Sequence, residues 1–260
     1  MCGAHMPGMM DERLGRPHNI VDGPEEMRKK VRELIRAGAV VIKVCTLGGV
    51  ISMRDDPQHA HFVADELNVL VAEATAADRF VMAHAQATDG TKNTIRAGIR
   101  SIEHGIYLDD EAIQMMLDAG TYLVPTLIAP LGLLEAADRG IDLPAVILDK
   151  CRAVVDAHRQ SIRKAIDAGV NIAMGTDAGV TPHGQNLREL GAMAELGMSP
   201  TAVFESSTRV AAELMGVDSD LGTLEIGKLA DAVMFSGTEL DVSDLHPRGK
   251  RVFQAGDRVA

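Results

Sequence analysis

Residues 37–44 read Ala37-Gly38-Ala39-Val40-Val41-Ile42-Lys43-Val44, and the reading of this stretch decides the fold. Ala-Gly is helix-stop chemistry, and it closes a helix expected over residues 23–38, with Asp22 as N-cap, Pro24 in the first turn and Leu34 and Ile35 on an apolar face. The apolar run that follows is β-branched, continuous and of strand length, as in a parallel strand buried on both faces. It ends on a lysine, a residue that such a strand does not need.

The same order recurs along the chain. A helix over 60–77 precedes Phe80-Val81-Met82-Ala83-His84, and one over 91–97 precedes Ser101-Ile102-Glu103-His104. A third over 109–118 precedes Thr121-Tyr122-Leu123-Val124-Pro125, and a long one over 144–168 precedes Asn171-Ile172-Ala173-Met174-Gly175-Thr176-Asp177. Ala-Gly stands before the strand at Ala37-Gly38, Ala97-Gly98, Ala119-Gly120 and Ala168-Gly169. Helices alternating with short apolar strands mean βαβ units and a parallel sheet. Five such strands precede the last helices, expected over 186–196 and over 200–215, the latter with Ser199 as N-cap and Pro200 in its first position. A closed (β/α)8 barrel needs eight. After Gly216 the pattern changes to strand and turn. Strands over 232–235 and 251–259 predict a small antiparallel sheet, so the chain divides near Asp220 into residues 1–220 and residues 221–260.

Composition excludes several classes of function. Of 260 residues, 46% are hydrophobic and 3% aromatic, and 26 basic side chains face 37 acidic ones for a net charge of −11. That balance argues against the phosphate backbone of a nucleic acid as partner. No apolar run approaches the roughly 20 residues of a membrane helix. The first residues carry neither a charged nor an apolar leader segment, and Cys2, Cys45 and Cys151 show no C-x-x-C spacing. These features lead to the expectation of a cytoplasmic chain with reduced thiols.

The chemistry lies in what ends each strand. Lys43, His84, His104 and Asp177 stand at the C-terminal ends of four of the five strands, the edge where barrels and open α/β sheets build their sites. Imidazole and carboxylate suit Zn2+ or a similar divalent ion, which makes hydroxide available near neutral pH. Any one of these residues alone has a structural reading. Four chemically matched groups at one end of four strands do not share one. His59-Ala60-His61 is the only H-x-H in the chain, but it lies beside Pro57 in a loop that opens the next helix, and it is set aside. No G-x-G-x-x-G or P-loop supports a nucleotide-binding reading.

Several stretches together resemble the metal-dependent amidohydrolase superfamily, in its branch of Xaa-Pro dipeptidases and imidazolonepropionase-like enzymes. They are Val41-Ile42-Lys43 with Gly48-Gly49-Val50, Ala83-His84-Ala85, Ser101-Ile102-Glu103-His104-Gly105, Val124-Pro125-Thr126-Leu127, Gly175-Thr176-Asp177-Ala178, His183-Gly184 and the run from Gly222 through Thr223-Leu224-Glu225-Ile226-Gly227-Lys228-Leu229-Ala230 to Asp231. The resemblance implies a (β/α)8 TIM barrel of amidohydrolase type beside a small β-sandwich, with two divalent ions, zinc by the donor chemistry, at the barrel mouth. It implies that Lys43 is carbamylated and bridges the ions, that His84 and His104 bind the second ion, and that Asp177 binds the first and acts as general base. The family's first-strand H-x-H pair has no counterpart here. The chain is therefore expected to hold about strands four to eight and part of the C-terminal sandwich, as an N-terminally incomplete barrel.

The implied reaction is hydrolysis of an amide or peptide bond in a small molecule such as a dipeptide, an Xaa-Pro substrate or an N-acyl amino acid. His183, Arg188 and His5 are the candidates for substrate binding, the last through a loose match of Cys2-Gly3-Ala4-His5 to a glycine-rich family stretch. The competing reading is a catalytically inactive metal-binding pseudo-enzyme or fragment. No membrane or nucleic-acid partner is expected, and an open barrel with unpaired strand edges predicts self-association, a homo-oligomer included.

Overall fold

The computed structural model describes residues 19–48, 60–237, 241–242, 245 and 250–260. Its frame is a parallel sheet of β1 (Val41–Cys45), β2 (Phe80–Ala85), β3 (Ser101–His104) and β4 (Tyr122–Val124), hydrogen-bonded in sequence order. The register sets Lys43 beside Met82 and Cys45 beside His84, then Met82 beside Ser101 and His84 beside Glu103. Parallel neighbours point the same way, so Lys43, His84 and Glu103 share one face of the sheet.

The other face is the apolar one. Helices α1 (Gly23–Arg36) and α2 (Ala64–Thr75) pack there, burying Met27, Val31, Leu67 and Leu70 against Ile42, Val44, Val81 and Ala83. Each fully buried side chain of this kind contributes about 1.5–3 kcal/mol of transfer free energy. Burial on both faces, expected for β1, holds for β3 alone among the first three: β1 and β2 alternate between buried and half-buried positions. The half-buried positions are those of Val41, Lys43 and Cys45 and of Phe80, Met82 and His84.

The third helix, α3 (Thr88–Arg96), and α4 (Asp110–Ala119) connect β2, β3 and β4, and α4 carries the side-chain N-cap that its sequence advertises, Asp109 accepting from the Ala112 N–H. Two helices follow β4. Helix α5 (Ile128–Asp138) was not visible in the sequence, because Pro130 and Gly132 interrupt its pattern and no capping residue precedes it. Pro130 falls in the first turn, where no N–H donor is needed. Helix α6 (Ala145–Ala168) lies against it, and its residue Ile162 joins Ile102, Ile113, Met116, Leu123, Ile172 and Met193 in the larger core.

Three expectations are corrected. Residues 171–177 form an isolated bridge rather than a strand, Leu123 pairing with Ile172 through hydrogen bonds of 2.8 and 3.0 Å on its two sides. The ladder stops there, because its next rung would need an N–H from residue 125, which is Pro125, while on the other side the Met174 N–H donates to the carbonyl of Ser206. The helix expected over 200–215 is two, α8 (Pro200–Ser207) and α9 (Arg209–Met215), which follow α7 (Arg188–Glu195). Ser206, Ser207 and Thr208 explain the break: their hydroxyls donate to the carbonyls of Val203, Phe204 and Phe204, competing with the helix ladder. The strand expected over 251–259 is a hairpin of β6 (Lys250–Gln254) and β7 (Asp257–Arg258), with Ala255 and Gly256 both left-handed at φ 50° and 89° in the turn. β6 also pairs antiparallel with β5 (Ala232–Phe235), whose Val233 and Met234 are half exposed.

Candidate metal centre

His84 and His104 meet edge to face at the C-terminal ends of β2 and β3, their ring centroids 4.5 Å apart and their planes inclined by 68°. Strict strand alternation would put His104 on the same face as Ile102, away from His84. The backbone at His104 is left-handed, φ 78°, and that twist breaks the alternation and turns the ring to its neighbour. Thr126 after β4 and Asp177 after the bridged segment are left-handed too, both at φ 52°. Non-glycine residues in this region cost about 1–2 kcal/mol each and gather where function requires them.

The ring of His104 is held from two sides. Its Nδ1 lies 2.7 Å from the Thr126 hydroxyl, which leaves Nε2 as the nitrogen open to a further ligand. Its carbonyl accepts from Nε2 of His158 on α6 at 2.9 Å, and one turn on Ser161 donates to the carbonyl of Gly105 at 2.6 Å. Burial, then the neighbouring charges of His84, Lys43 and His158, hold His104 well below the ordinary imidazole range. Burial pushes His158 down to about 4, against the pull of hydrogen bonds to the carbonyls of His104 and Pro125. Both rings are therefore neutral at physiological pH, the form in which imidazole is a metal ligand.

Glu103 lies one position before His104, 5% exposed, with Ser101 donating to its Oε1 at 2.6 Å. Burial raises its carboxyl, the positive charge of Lys43 and the Ser101 hydrogen bond oppose that rise, and Asp177 adds to it. Those electrostatic couplings bring Lys43 and Asp177 into the neighbourhood of the paired imidazoles. Asp177 itself is exposed, and its carbonyl accepts from Val180 in the following loop. Gly175 lets this loop approach β4: a Cβ there would meet Val124 Cγ1 at 2.4 Å.

The donor set fits a divalent ion as a half-site. Two imidazoles are in place, and Lys43 shares the sheet face of His84, yet among the described residues no three His, Cys, Asp or Glu side chains converge closely enough to hold an ion by themselves. His183 is exposed on the loop after Asp177. Arg188 is engaged elsewhere, pairing through both terminal nitrogens with Glu135 on α5 and donating to Gln185 at 2.9 Å. His5 lies outside the described residues, as do His59 and the Gly49-Val50 part of the matching stretch. His61 is described, and its N–H donates to the carbonyl of Thr46 at the end of β1.

A large cleft of about 820 Å3 opens elsewhere, lined by Phe204, Phe235 and Phe253 between α8 and the small sheet. It contains none of Lys43, His84, His104 and Asp177, and its walls mix apolar side chains with polar ones such as Asp231, Asp241 and Lys250.

Sequence reasoning did not assign Glu103, Thr126, His158 or Glu189. Period-two alternation with Ser101 would have found Glu103 on the face of His84. His158 falls four residues after Val154 and seven after Cys151, on the buried stripe of α6, which is the signal for a buried polar residue.

The C-terminal edge of this parallel α/β sheet thus carries paired imidazoles, a lysine on the face of His84 and left-handed polar residues. The chain belongs to the amidohydrolase family, whose profile matches residues 2–258. It is 37% identical over 242 residues to ochratoxinase from Aspergillus niger, covering 90% of this chain and 49% of the fungal enzyme. Imidazolonepropionase from Bdellovibrio bacteriovorus is 29% identical over 216 residues, covering 74% of this chain and 50% of that protein. Among solved structures, a Xaa-Pro dipeptidase with methionine bound in its active site superposes with a TM-score of 0.88 at 34% identity, covering 96% of this chain and 64% of that one. The chain thus spans about half the length of the curated relatives it matches.

Proposed function

We propose that this chain carries the catalytic edge of a metal-dependent amidohydrolase that cleaves a C–N bond in a small amide, of dipeptide, Xaa-Pro or N-acyl amino acid type. The observation that carries the reading is the convergence at one sheet edge of His84 and His104, edge to face at 4.5 Å, with left-handed backbone at His104, Thr126 and Asp177. The name of one structural relative, Xaa-Pro dipeptidase, supports an amide next to a carboxylate as substrate. On this reading the four-stranded sheet and its helices, residues 1–220, belong to a (β/α)8 barrel, and residues 221–260 to a β-sandwich beside it.

His84 and His104 would hold a divalent ion, zinc by the nitrogen donors, and Lys43, once carbamylated, would supply a further donor. Such an ion supplies Lewis-acid polarisation and hydroxide at neutral pH. Asp177 does the proton work: its carboxylate takes the proton of the attacking water and delivers it to the leaving amine. His183 and His5 are the candidates to meet the substrate carboxylate, and Arg188, engaged by Glu135, does so only through an exchange of partners. The buried thiol of Cys151 is in keeping with a reducing, cytoplasmic setting. Among the described residues no helix is long and apolar enough to cross a membrane.

A second reading, a chain that binds metal without turnover, is favoured by the absence of a three-residue His, Cys, Asp or Glu cluster among the described residues. One experiment separates them: elemental analysis after equilibration with zinc and bicarbonate, with hydrolysis of N-acyl amino acids and Xaa-Pro dipeptides followed in parallel. About one zinc per chain, lost in His84→Ala/His104→Ala, together with chelator-sensitive hydrolysis, supports the enzyme. Zinc without hydrolysis supports the second reading, and no zinc above the double variant overturns both.

A further inference from the structure

Glu189 is fully buried on α7, 62 and 61 residues from the two groups it binds. Its Oε1 accepts from the Leu127 N–H at 2.7 Å and its Oε2 from the Ile128 N–H at 3.0 Å. These are the first donors of α5, a helix whose own N-cap, Leu127, offers no side-chain hydrogen bond. A carboxylate here satisfies orphan N–H groups and lies at the positive end of the helix dipole, yet it sits where burial works against its charge. A cap of this kind ordinarily comes from the residue next in sequence. Here it is delivered from another helix to the residue that immediately follows Thr126.

Thr126 is the residue whose hydroxyl lies 2.7 Å from His104 Nδ1, and it stands in a left-handed conformation that a β-branched residue disfavours. Something has to hold it there. The chain enters Thr126 from β4 and leaves it into the two N–H groups clamped by Glu189, and Ala129 N–H closes back onto the Thr126 carbonyl at 3.1 Å. Next to Glu189, Arg188 pairs with Glu135 on α5, so α7 grips α5 at its first turn and again two turns further along.

We infer that Glu189 is a positioning residue for the metal centre: by clamping the Leu127 and Ile128 N–H groups it fixes Thr126, and through the Thr126 hydroxyl it fixes the ring orientation and tautomer of His104, with the proton on Nδ1 and the lone pair on Nε2. The inference rests on the metal-hydrolase reading above for the use to which that lone pair is put. It adds a residue that contacts neither substrate nor ion and acts through two intermediaries.

The test is made on the full chain with Glu189→Ala, Glu189→Gln, Thr126→Ala, Thr126→Ser and the double variant Glu189→Ala/Thr126→Ala. Long-range proton–nitrogen spectra of the metal-free protein, with His104 assigned from a His104→Asn variant, read the ring tautomer. Competition with a chromophoric chelator reads zinc affinity. In the wild type His104 is expected as the Nδ1–H tautomer. Glu189→Ala and Thr126→Ala each give a mixture of tautomers and weaken zinc about tenfold, the scale for partners that orient a ligand. Thr126→Ser keeps both readouts, and the double variant is no weaker than Thr126→Ala, because the two act in series. Where Glu189→Ala does not fold, Glu189→Gln, which keeps the volume and one acceptor, carries the test with the same mixed tautomer. Lowered thermal stability with an unchanged tautomer in the Glu189 variants overturns the inference and leaves the metal reading intact. A tautomer that follows Glu189 in a wild type that binds no zinc overturns the metal reading and leaves the positioning role.

Discussion

The two edges of the parallel sheet use the same backbone conformation and use it differently. At the N-terminal edge, where helices hand over to strands, the left-handed positions are Gly38, Gly98, Gly120 and Gly169, with φ from 66° to 92°, and a single residue with a side chain, Asp78 at φ 53°. At the C-terminal edge they are His104, Thr126 and Asp177. Glycine adopts this region without a Cβ clash, whereas a residue with a side chain pays about 1–2 kcal/mol to be there. One edge is left-handed mostly through glycine, the other mostly through residues with side chains.

The comparison breaks most decisively at Asp177. Asp177→Gly should release backbone strain and raise stability by up to about 1 kcal/mol, measured by denaturant unfolding, while lowering hydrolysis by about 10^2-fold or more through loss of the general base. Asp177→Asn should lose the activity without the gain in stability. A glycine variant that is both less stable and fully active would remove strain and catalysis from this residue together.

Glu189 gives the next largest effect, and its sign follows from the direction of its shift. Burial raises its carboxyl to about 7 from the ordinary 4.5, against the two backbone hydrogen bonds. The folded chain therefore holds a proton that the unfolded chain has released between those pH values. That contribution to stability is fully present below pH 4.5 and is lost as pH rises through about 7, a change of up to about 3 kcal/mol. Chemical denaturation across this window should show the slope in the wild type and a flatter profile in Glu189→Gln. A wild-type profile that rises through the window would assign the pH dependence to other groups.

The smallest effect sharpens the other side. Gly120→Ala meets no heavy atom within 4 Å, so its cost is the left-handed backbone alone, about 1 kcal/mol by thermal or chemical unfolding. Zinc content and any hydrolysis should be unchanged. A loss of metal on this substitution would mean that the two edges are not separable.

Much of this was legible in the sequence because it depends on near neighbours. Ala-Gly stops, β-branched runs and Asp109 or Ser199 caps are local signals, and they gave the helix-strand order and the polar residues that end the strands. Elements whose supporting partner is distant in sequence were hidden. Helix α5 is capped from α7, the Met174 N–H of residues 171–177 finds its acceptor in the carbonyl of Ser206, and the hydroxyl run at 206–208 breaks a helix that propensity would continue. The sequence by itself determined the parallel α/β class and the identity of the groups at the sheet edge, because spacing of apolar residues and type of strand-end residue are properties of the chain. Only the tertiary structure decided how those groups face each other: the left-handed turn at His104, the Thr126 hydroxyl on its ring and the buried Glu189 behind both are contacts across 22 and 62 residues. Such contacts are set by packing, and no local preference encodes them.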